Sequence, residues 1–359
     1  MKRLSLLFLA LCMTISIMAE DKSVKWYDAA EFPLYGKITD DTNARYERFP
    51  GYMETKARKV VWDLSRNSAG LYIRFRSDSP EFLFEWESLI YRRMDHMPET
   101  GIKGLDLYRL TADGWSYVHC CRPRKGPVYS DKVVCDVGMC EYMLYLSLYD
   151  GVKSLKIGIK EGCVIEAPKV ESPRTEKPVI MYGSSILQGG CCSRPGMAHT
   201  NMLSRMLDRE VINFGFSSNA KLDYEVAELM ASCPDPGLFV LDYTPNCQAK
   251  LIDDKAENFF RIIRNAHPDV PVVFVALPPY PRATFNSKQC DNMAKINEAQ
   301  RRVYDKLKKS GEKKIYYVKS EGMLGDDLEA TVDGTHFTDL GMRLYAEHIY
   351  PTLKKALKN

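Results

Sequence analysis

Four short stretches carry residue types that can do chemistry together. Gly183-Ser184-Ser185 ends the apolar run "VIMYG", and Asn213-Phe214-Gly215 ends a second run in "EVINFGFSSN". "LDYTPN" ends in Asn246, and "TVDGTHFTDLG" holds Asp333 and His336 ahead of a helical pattern. A serine hydroxyl is a poor nucleophile until a neighbouring base takes its proton. Histidine suits that role because its unperturbed pKa is near ~6.5. A carboxylate behind the imidazole fixes the tautomer and stabilises the imidazolium. Asp333 and His336, three apart around a Gly-Thr turn, supply that pair from one loop. The oxyanion of an acyl-transfer intermediate then needs preorganised donors. Candidates are the backbone N–H of Ser185, the backbone N–H of Ser218 and the side-chain amide of Asn246.

Each candidate has a plainer reading or a rival. Ser184 beside the nucleophile candidate serves to orient the turn. His199 falls in the helix after the first strand, His267 at a helix end before a proline, and His348 inside an amphipathic helix. Asp242, at the end of a strand, competes with Asp333 as the acid. Gly189-Gly190-Cys191-Cys192 invites a cysteine-enzyme reading, but no histidine–cysteine signature accompanies it, so a local disulfide or packing is the expectation.

The elements that would position these residues lie after residue 178. "VIMYG", "EVINFG", "GLFVLDYT", "VPVVFVAL" and "KIYYVKS" are near-continuous apolar runs, as in strands buried on both faces. Helical patterns separate them: "MAHTNMLSRMLD", "DYEVAELMAS", "KAENFFRIIRNA" and "NEAQRRVYDKLKKS". Strands alternating with helices imply crossovers and a parallel sheet. The fold class expected is α/β, a flavodoxin-like three-layer α/β/α sandwich over residues 179–359, with ligands at the carboxyl ends of its strands.

Residues 20–168 have a different rhythm. "GLYIRFRS", "EFLFEWES", "LDLYRL", "WSYVHCC" and "SLKIGIK" alternate apolar and polar residues between turns, which predicts an all-β sandwich. All four tryptophans, Trp26, Trp62, Trp86 and Trp115, fall in this half. They are read first as core, with stacking on a sugar ring as the alternative. The Pro- and charge-rich "EAPKVESPRTEKP" marks the boundary, with the linker assigned to residues 169–178.

Residues 1–19 read as a secretory signal peptide: Lys2 and Arg3, an apolar stretch, and Ala19 at the cleavage site. Leu11 is too large to precede a lipidated Cys12, so an exported, periplasmic or extracellular protein without a lipid anchor is expected. No later stretch is long and apolar enough to span a bilayer. Removing Lys2 and Arg3 takes the formal charge from +3 to +1, which argues against a nucleic-acid partner. Of the 11 cysteines, ten follow the leader, and none forms a C-x-x-C pair. No metal ligand set and no cofactor is expected; bridges among Cys120, Cys121, Cys135, Cys140 and Cys163 and buried free thiols both stay open.

In order and spacing the four stretches resemble the sequence blocks of the SGNH (GDSL-type) hydrolases. The resemblance implies Ser185 as nucleophile, Ser218 as a backbone donor, Asn246 as the oxyanion amide, and Asp333 and His336 as the rest of a triad. The family pattern has glycine where this chain has Ser218. "GLDLY", residues 104–108, resembles the Gly-x-Asp-Leu-Tyr signature of an N-terminal β-domain paired with certain SGNH esterases. Within it, Asp106 and Tyr108 are read as strand and turn determinants, with a reach toward the site as the alternative. A jelly roll ahead of an SGNH domain occurs among carbohydrate acetyl esterases. The resemblance therefore implies an acylated carbohydrate or another small acyl ester as substrate. A lipase or thioesterase, or a silent sugar-binding protein, are the alternatives.

Overall fold

The computed structural model describes residues 23–358. The expected signal peptide, residues 1–19, lies outside the described residues.

The first half is a β-sandwich of two antiparallel sheets. Val24–Asp28, Val152–Lys160, Glu81–Ser88 and Val128–Val134 form a four-stranded sheet in that order. The second sheet runs Ile165–Glu166, Tyr72–Ser77, Cys140–Tyr145, Leu105–Thr111, Gly114–Cys121, with Leu34–Tyr35 added at Tyr72–Ser77. Alternation sets the faces. In Glu81–Ser88 the side chains of Phe82, Phe84 and Trp86 turn inward and are buried, while Glu81, Glu85 and Glu87 turn outward. They meet Phe75, Tyr142, Leu144 and Ile157 from the neighbouring strands and facing sheet. Period-2 strands with one solvated face give this pattern. Trp62 and Trp86 are core residues, and Trp26 and Trp115 are half-buried. Trp115 Nε1 donates to Ser172 Oγ at 3.0 Å, and Arg74 stacks on its ring. Core packing therefore accounts for two of the four.

The second half contains a five-stranded parallel sheet. Its first strand is Arg174–Gly183, and the others are Arg209–Gly215, Leu238–Asp242, Val272–Val275 and Ile315–Val318. The spatial order is second, first, third, fourth, fifth, the flavodoxin-like arrangement whose switch point lies between the first and third strands. Helices Ala249–Ala266, Ser287–Lys309 and Asp339–Ala356 are among those flanking it. The first strand starts inside the segment read as linker. Arg174–Lys177 are exposed, and Arg174 pairs with Arg209 before a register shift, so polar residues extend the strand beyond the buried sheet.

Register explains the site's position. Gly183 pairs with Gly215 on one side and with Asp242 on the other. Three strands therefore end at one level, and their loops begin side by side.

The halves share a core. One apolar cluster runs from Phe49, Val61, Trp62 and Tyr149 into Ile180, Leu187 and Phe214. Burying each such side chain is worth about 1.5–3 kcal/mol, so the two units stabilise each other. The ten described cysteines are free thiols. Of the two readings left open, the structure has the thiols.

Candidate active site

Ser184 and Ser185 divide the work of one turn. Ser184 is the N-cap of the four-residue helix Ser185–Gln188, and its Oγ accepts from the Ile186 N–H at 3.2 Å. That satisfies a donor the helix start leaves open. Ser185 opens the helix, with Oγ lying 2.8 Å from His336 Nε2. His336 Nδ1 lies 2.7 Å from Asp333 Oδ2. Asp333 Oδ1 accepts from the N–H groups of Thr335 at 3.0 Å and His336 at 2.8 Å. Burial pushes the Asp333 carboxyl upward, but the imidazole and these N–H donors outweigh it and hold it below the usual carboxylate range. The loop is closed by Val332 N–H donating to the His336 carbonyl at 2.8 Å. The structure thus brings together Ser185, His336 and Asp333, in a geometry that can activate a hydroxyl.

The glycines after Ser185 have a steric purpose. Gly189 ends the short helix at φ +104°, a conformation costly for other residues. A Cβ on Gly190 would lie 2.8 Å from Tyr149 Oη and 3.2 Å from His336 Cδ2. A side chain there would push on the imidazole.

None of the rival histidines, nor Asp242, reaches Ser185 or His336. His199 is fully buried beside the Tyr345 ring, and burial pushes its pKa down to about 3. His267 meets the Ala231 carbonyl at 2.8 Å, and His348 meets the Lys319 carbonyl at 3.1 Å. Asp242 accepts from Tyr345 Oη at 2.8 Å, and burial pushes its carboxyl up to about 8. It is a buried acid with no cation partner, not an imidazole's orienter.

Comparisons with known proteins bear on this arrangement. Residues 176–354 match the model of the GDSL-like lipase/acylhydrolase family. Residues 24–165 match that of the N-terminus of SGNH-hydrolase-type esterases. A protein assigned as a GDSL-like lipase from Bacteroides ovatus is 34% identical, with a TM-score of 0.88 over 93% of this chain and 98% of that one. The chain belongs to the SGNH (GDSL-type) hydrolase family. A salicylyl-acyltransferase from a tetracycline biosynthetic pathway shares the fold at 16% identity and a TM-score of 0.76, covering 94% of this chain and 98% of that one. An acetyl xylan esterase from Butyrivibrio proteoclasticus shares it at 10% identity and a TM-score of 0.56, covering 93% and 99%. No curated protein matches.

For an SGNH hydrolase, the departure at Ser218 has a measurable backbone consequence. Ser218 adopts φ +59°, the left-handed region where a side chain costs roughly 1–2 kcal/mol. Serine here keeps the conformation that glycine would take without strain. Asn246 Oδ1 accepts from the Ala220 N–H at 3.1 Å, which anchors its side-chain amide beside that loop. Among the described residues, no protein acceptor takes the N–H of Ser185, the N–H of Ser218 or Asn246 Nδ2.

The N-terminal half of this SGNH hydrolase contributes more than the sequence disclosed. Arg48 is fully buried, and its guanidinium donates to the carbonyls of Leu64 at 2.6 Å and Asn67, Asn213 and Gly215, each at 2.9 Å. Two of those carbonyls lie at the end of the strand that leads to Ser218. Burial pushes the Arg48 pKa down to about 9, and four acceptors hold the cation in place. Gln188 ties the same region together, donating to Asn67 Oδ1 and accepting from the Ser217 N–H, both at 3.0 Å. Tyr149 Oη donates to the Ser185 carbonyl at 3.0 Å.

Asp106, in the Gly-x-Asp-Leu-Tyr string, also reaches across. Its Oδ2 accepts from Arg194 Nη1 and from the Gly196 N–H, both at 2.7 Å. Arg194 lies over the Tyr117 ring at 3.9 Å and donates to Tyr108 Oη at 2.8 Å. Burial pushes the Asp106 carboxyl up despite the guanidinium beside it. The signature is therefore a strand determinant and also a clasp on the segment that follows the Ser184–Ser185 turn.

Proposed function

We propose that this SGNH hydrolase is an exported serine esterase that removes small acyl groups, O-acetyl above all, from carbohydrate. The observation that supports it best is the unbroken Ser185–His336–Asp333 chain, with links of 2.8 and 2.7 Å. Ser185 Oγ attacks the ester carbonyl while His336 Nε2 takes its proton. The tetrahedral oxyanion is held by the N–H groups of Ser185 and Ser218 and by Asn246 Nδ2. Collapse expels the sugar hydroxyl, which His336 protonates, and leaves an acyl-enzyme. Water, deprotonated by His336, then attacks the acyl-enzyme; the acid leaves and Ser185 regains its proton. Asp333 holds the imidazole tautomer and stabilises the imidazolium. No metal or organic cofactor takes part in these steps.

Substrate class rests on the surroundings. A cavity of about 220 Å³ is lined by Pro245 and Cys247, the chain neighbours of Asn246, by the polar Gln248, Arg282, Gln289 and Asn292, and by Leu277, Met293 and Ile296 among others. Its polar side supplies donors and acceptors for the hydroxyls of a sugar ring, and its apolar side a surface for the ring's carbon face. The acetyl xylan esterase of the same fold is consistent with that choice. Export rests on the basic and apolar leader over residues 1–19; no described helix is long and apolar enough to cross a membrane. The test is a panel of acetylated sugars and nitrophenyl esters of increasing chain length. The highest kcat/KM is expected on acetyl esters, with acetyl-sugar turnover. A maximum on long acyl chains would favour a lipase, and no turnover at all would favour a silent binding protein.

Two substitutions separate the donors. Ser218→Gly keeps the backbone N–H and relieves the left-handed strain, so kcat/KM on a small acetyl ester should change by less than about threefold. Asn246→Ala removes a side-chain donor and should cost on the order of 10²–10³ in kcat. Steady-state kinetics on the two variants and Ser218→Ala check this. A large loss in both Ser218 variants would mean the hydroxyl itself bonds substrate.

A further inference from the structure

We propose that His96, Cys191 and His336 form a binding site for one soft divalent transition ion, Zn²⁺ being the representative, whose occupation reversibly shuts the esterase off. The inhibitory part rests on the reading of His336 as the general base; the binding part does not.

One ring nitrogen of each histidine and Cys191 Sγ all lie within 4.8 Å of one another. Zn–N bonds of ~2.0–2.1 Å and a Zn–S bond of ~2.3 Å put tetrahedral ligand atoms about 3.3–3.6 Å apart. The three side chains must therefore close by about an ångström. His96 can supply that movement: its side chain is 30% exposed, on the segment between Ser88 and Glu99, and its ring lies 5.4 Å from that of His336.

Each imidazole has a carboxylate on its Nδ1, which leaves its Nε2 for a metal. His96 Nδ1 lies 2.9 Å from Asp95 Oδ1, and His336 Nδ1 lies 2.7 Å from Asp333 Oδ2. A carboxylate on one ring nitrogen fixes the tautomer and leaves the lone pair of the other free for a metal. Two such pairs converge on one thiol. Cys191 is 5% exposed and held at φ +70°, a strained conformation for a non-glycine residue. Burial pushes its thiol up to about 12, so it is a weak nucleophile as it stands. A metal ion, unlike a mild base, displaces the thiol proton outright.

The donor set selects the ion. Two imidazoles and a thiolate suit Zn²⁺ and Co²⁺ and are poor ligands for Mg²⁺ or Ca²⁺. Three protein ligands leave the fourth position to water or to Ser185 Oγ. The consequence follows from the shared atom. His336 Nε2 faces Ser185 at 2.8 Å, and a lone pair given to a metal cannot accept the serine proton. His96 comes from the β-domain half, so the ion also bridges the two units.

The experiment titrates metal-free full-length protein with CoCl₂ and with ZnCl₂. One equivalent of Co²⁺ should bind with a thiolate-to-cobalt charge-transfer band that Cys191→Ala abolishes. Zn²⁺ should inhibit acetyl-ester hydrolysis, EDTA should restore it, and Mg²⁺ and Ca²⁺ should have no effect. Relative to each variant's own metal-free rate, His96→Gln and Cys191→Ala should each raise the half-inhibiting Zn²⁺ concentration more than about tenfold, since even outer-sphere partners are worth about that much. His96→Gln changes a part-exposed side chain and guards against misfolding of the buried cysteine variant. The cobalt arm reads the site without turnover, so it stands even if the esterase reading fails. Absence of stoichiometric binding, or binding indifferent to both substitutions, would overturn the proposal; binding that leaves an active esterase uninhibited would overturn its inhibitory part.

Discussion

Ser185→Ala should lower kcat/KM on a small acetyl ester by at least about 10⁴, and His336→Ala should match it within about an order of magnitude. Residues that act as one unit lose most of their effect together, so either deletion exposes nearly the whole contribution. The residue left behind still offers the backbone donors at Ser185 and Ser218 and the Asn246 amide, so some rate above water should persist. Stability should hardly move, because Ser185 Oγ has only His336 as its protein partner among the described residues. Kinetics with a parallel thermal melt check both halves. An Ser185→Ala variant within tenfold of the parent would remove Ser185 from the chemistry, and a collapsed melt would mark it as structural.

Asp106→Ala is expected to destabilise the fold by about 3 kcal/mol, the lower end for breaking a buried ion pair by deleting one partner. Asp106 is fully buried, whereas the Arg194 side chain is 20% exposed, so water can partly resolvate the orphaned guanidinium. The Gly196 N–H also loses its acceptor. Denaturant unfolding of Asp106→Ala, Arg194→Ala and the double variant measures the coupling. It should exceed about 1 kcal/mol, since contacting residues in one network are not additive. Additive losses would mean that the two side chains act independently and that the clasp across the halves does not exist.

Sequence disclosed most strongly what is local and periodic. The alternation in "EFLFEWES" maps onto Glu81–Ser88, and "LDLYRL" and "SLKIGIK" fall within Leu105–Thr111 and Val152–Lys160. The five apolar runs after residue 178 are the five parallel strands. That Ser185, His336 and Asp333 would come together was readable from their residue types and their places in strand-end loops. The left-handed backbone of Ser218 was not, because serine gives no sign of positive φ. Only the departure from glycine hinted at it.

Long-range partners were hidden for a different reason. Arg48 looks like one more charged residue, yet it is buried among carbonyls separated from it by 16 to 167 positions. Backbone acceptors leave no side-chain signature at the far end. Tyr149 and His96 are equally silent, because Ser185 and His336, which they reach, lie in the other half of the chain. Asp106 was more legible, since it sits in a recognisable string. Its reach across to Arg194 and Gly196 could not be read from the string itself. The polar start of the strand Arg174–Gly183 was read as linker because nothing apolar marks residues that run beyond the buried sheet.

The central claim is that Ser185 is the nucleophile of an acyl-transfer site. Covalent labelling tests it most directly: the full chain is treated with a fluorophosphonate and the adduct is mapped by peptide mass spectrometry. One adduct per chain is expected, on Ser185, absent from Ser185→Ala and strongly slowed in His336→Ala. An adduct on Ser184 or Cys191, or labelling of Ser185→Ala at the parent's rate, would contradict it.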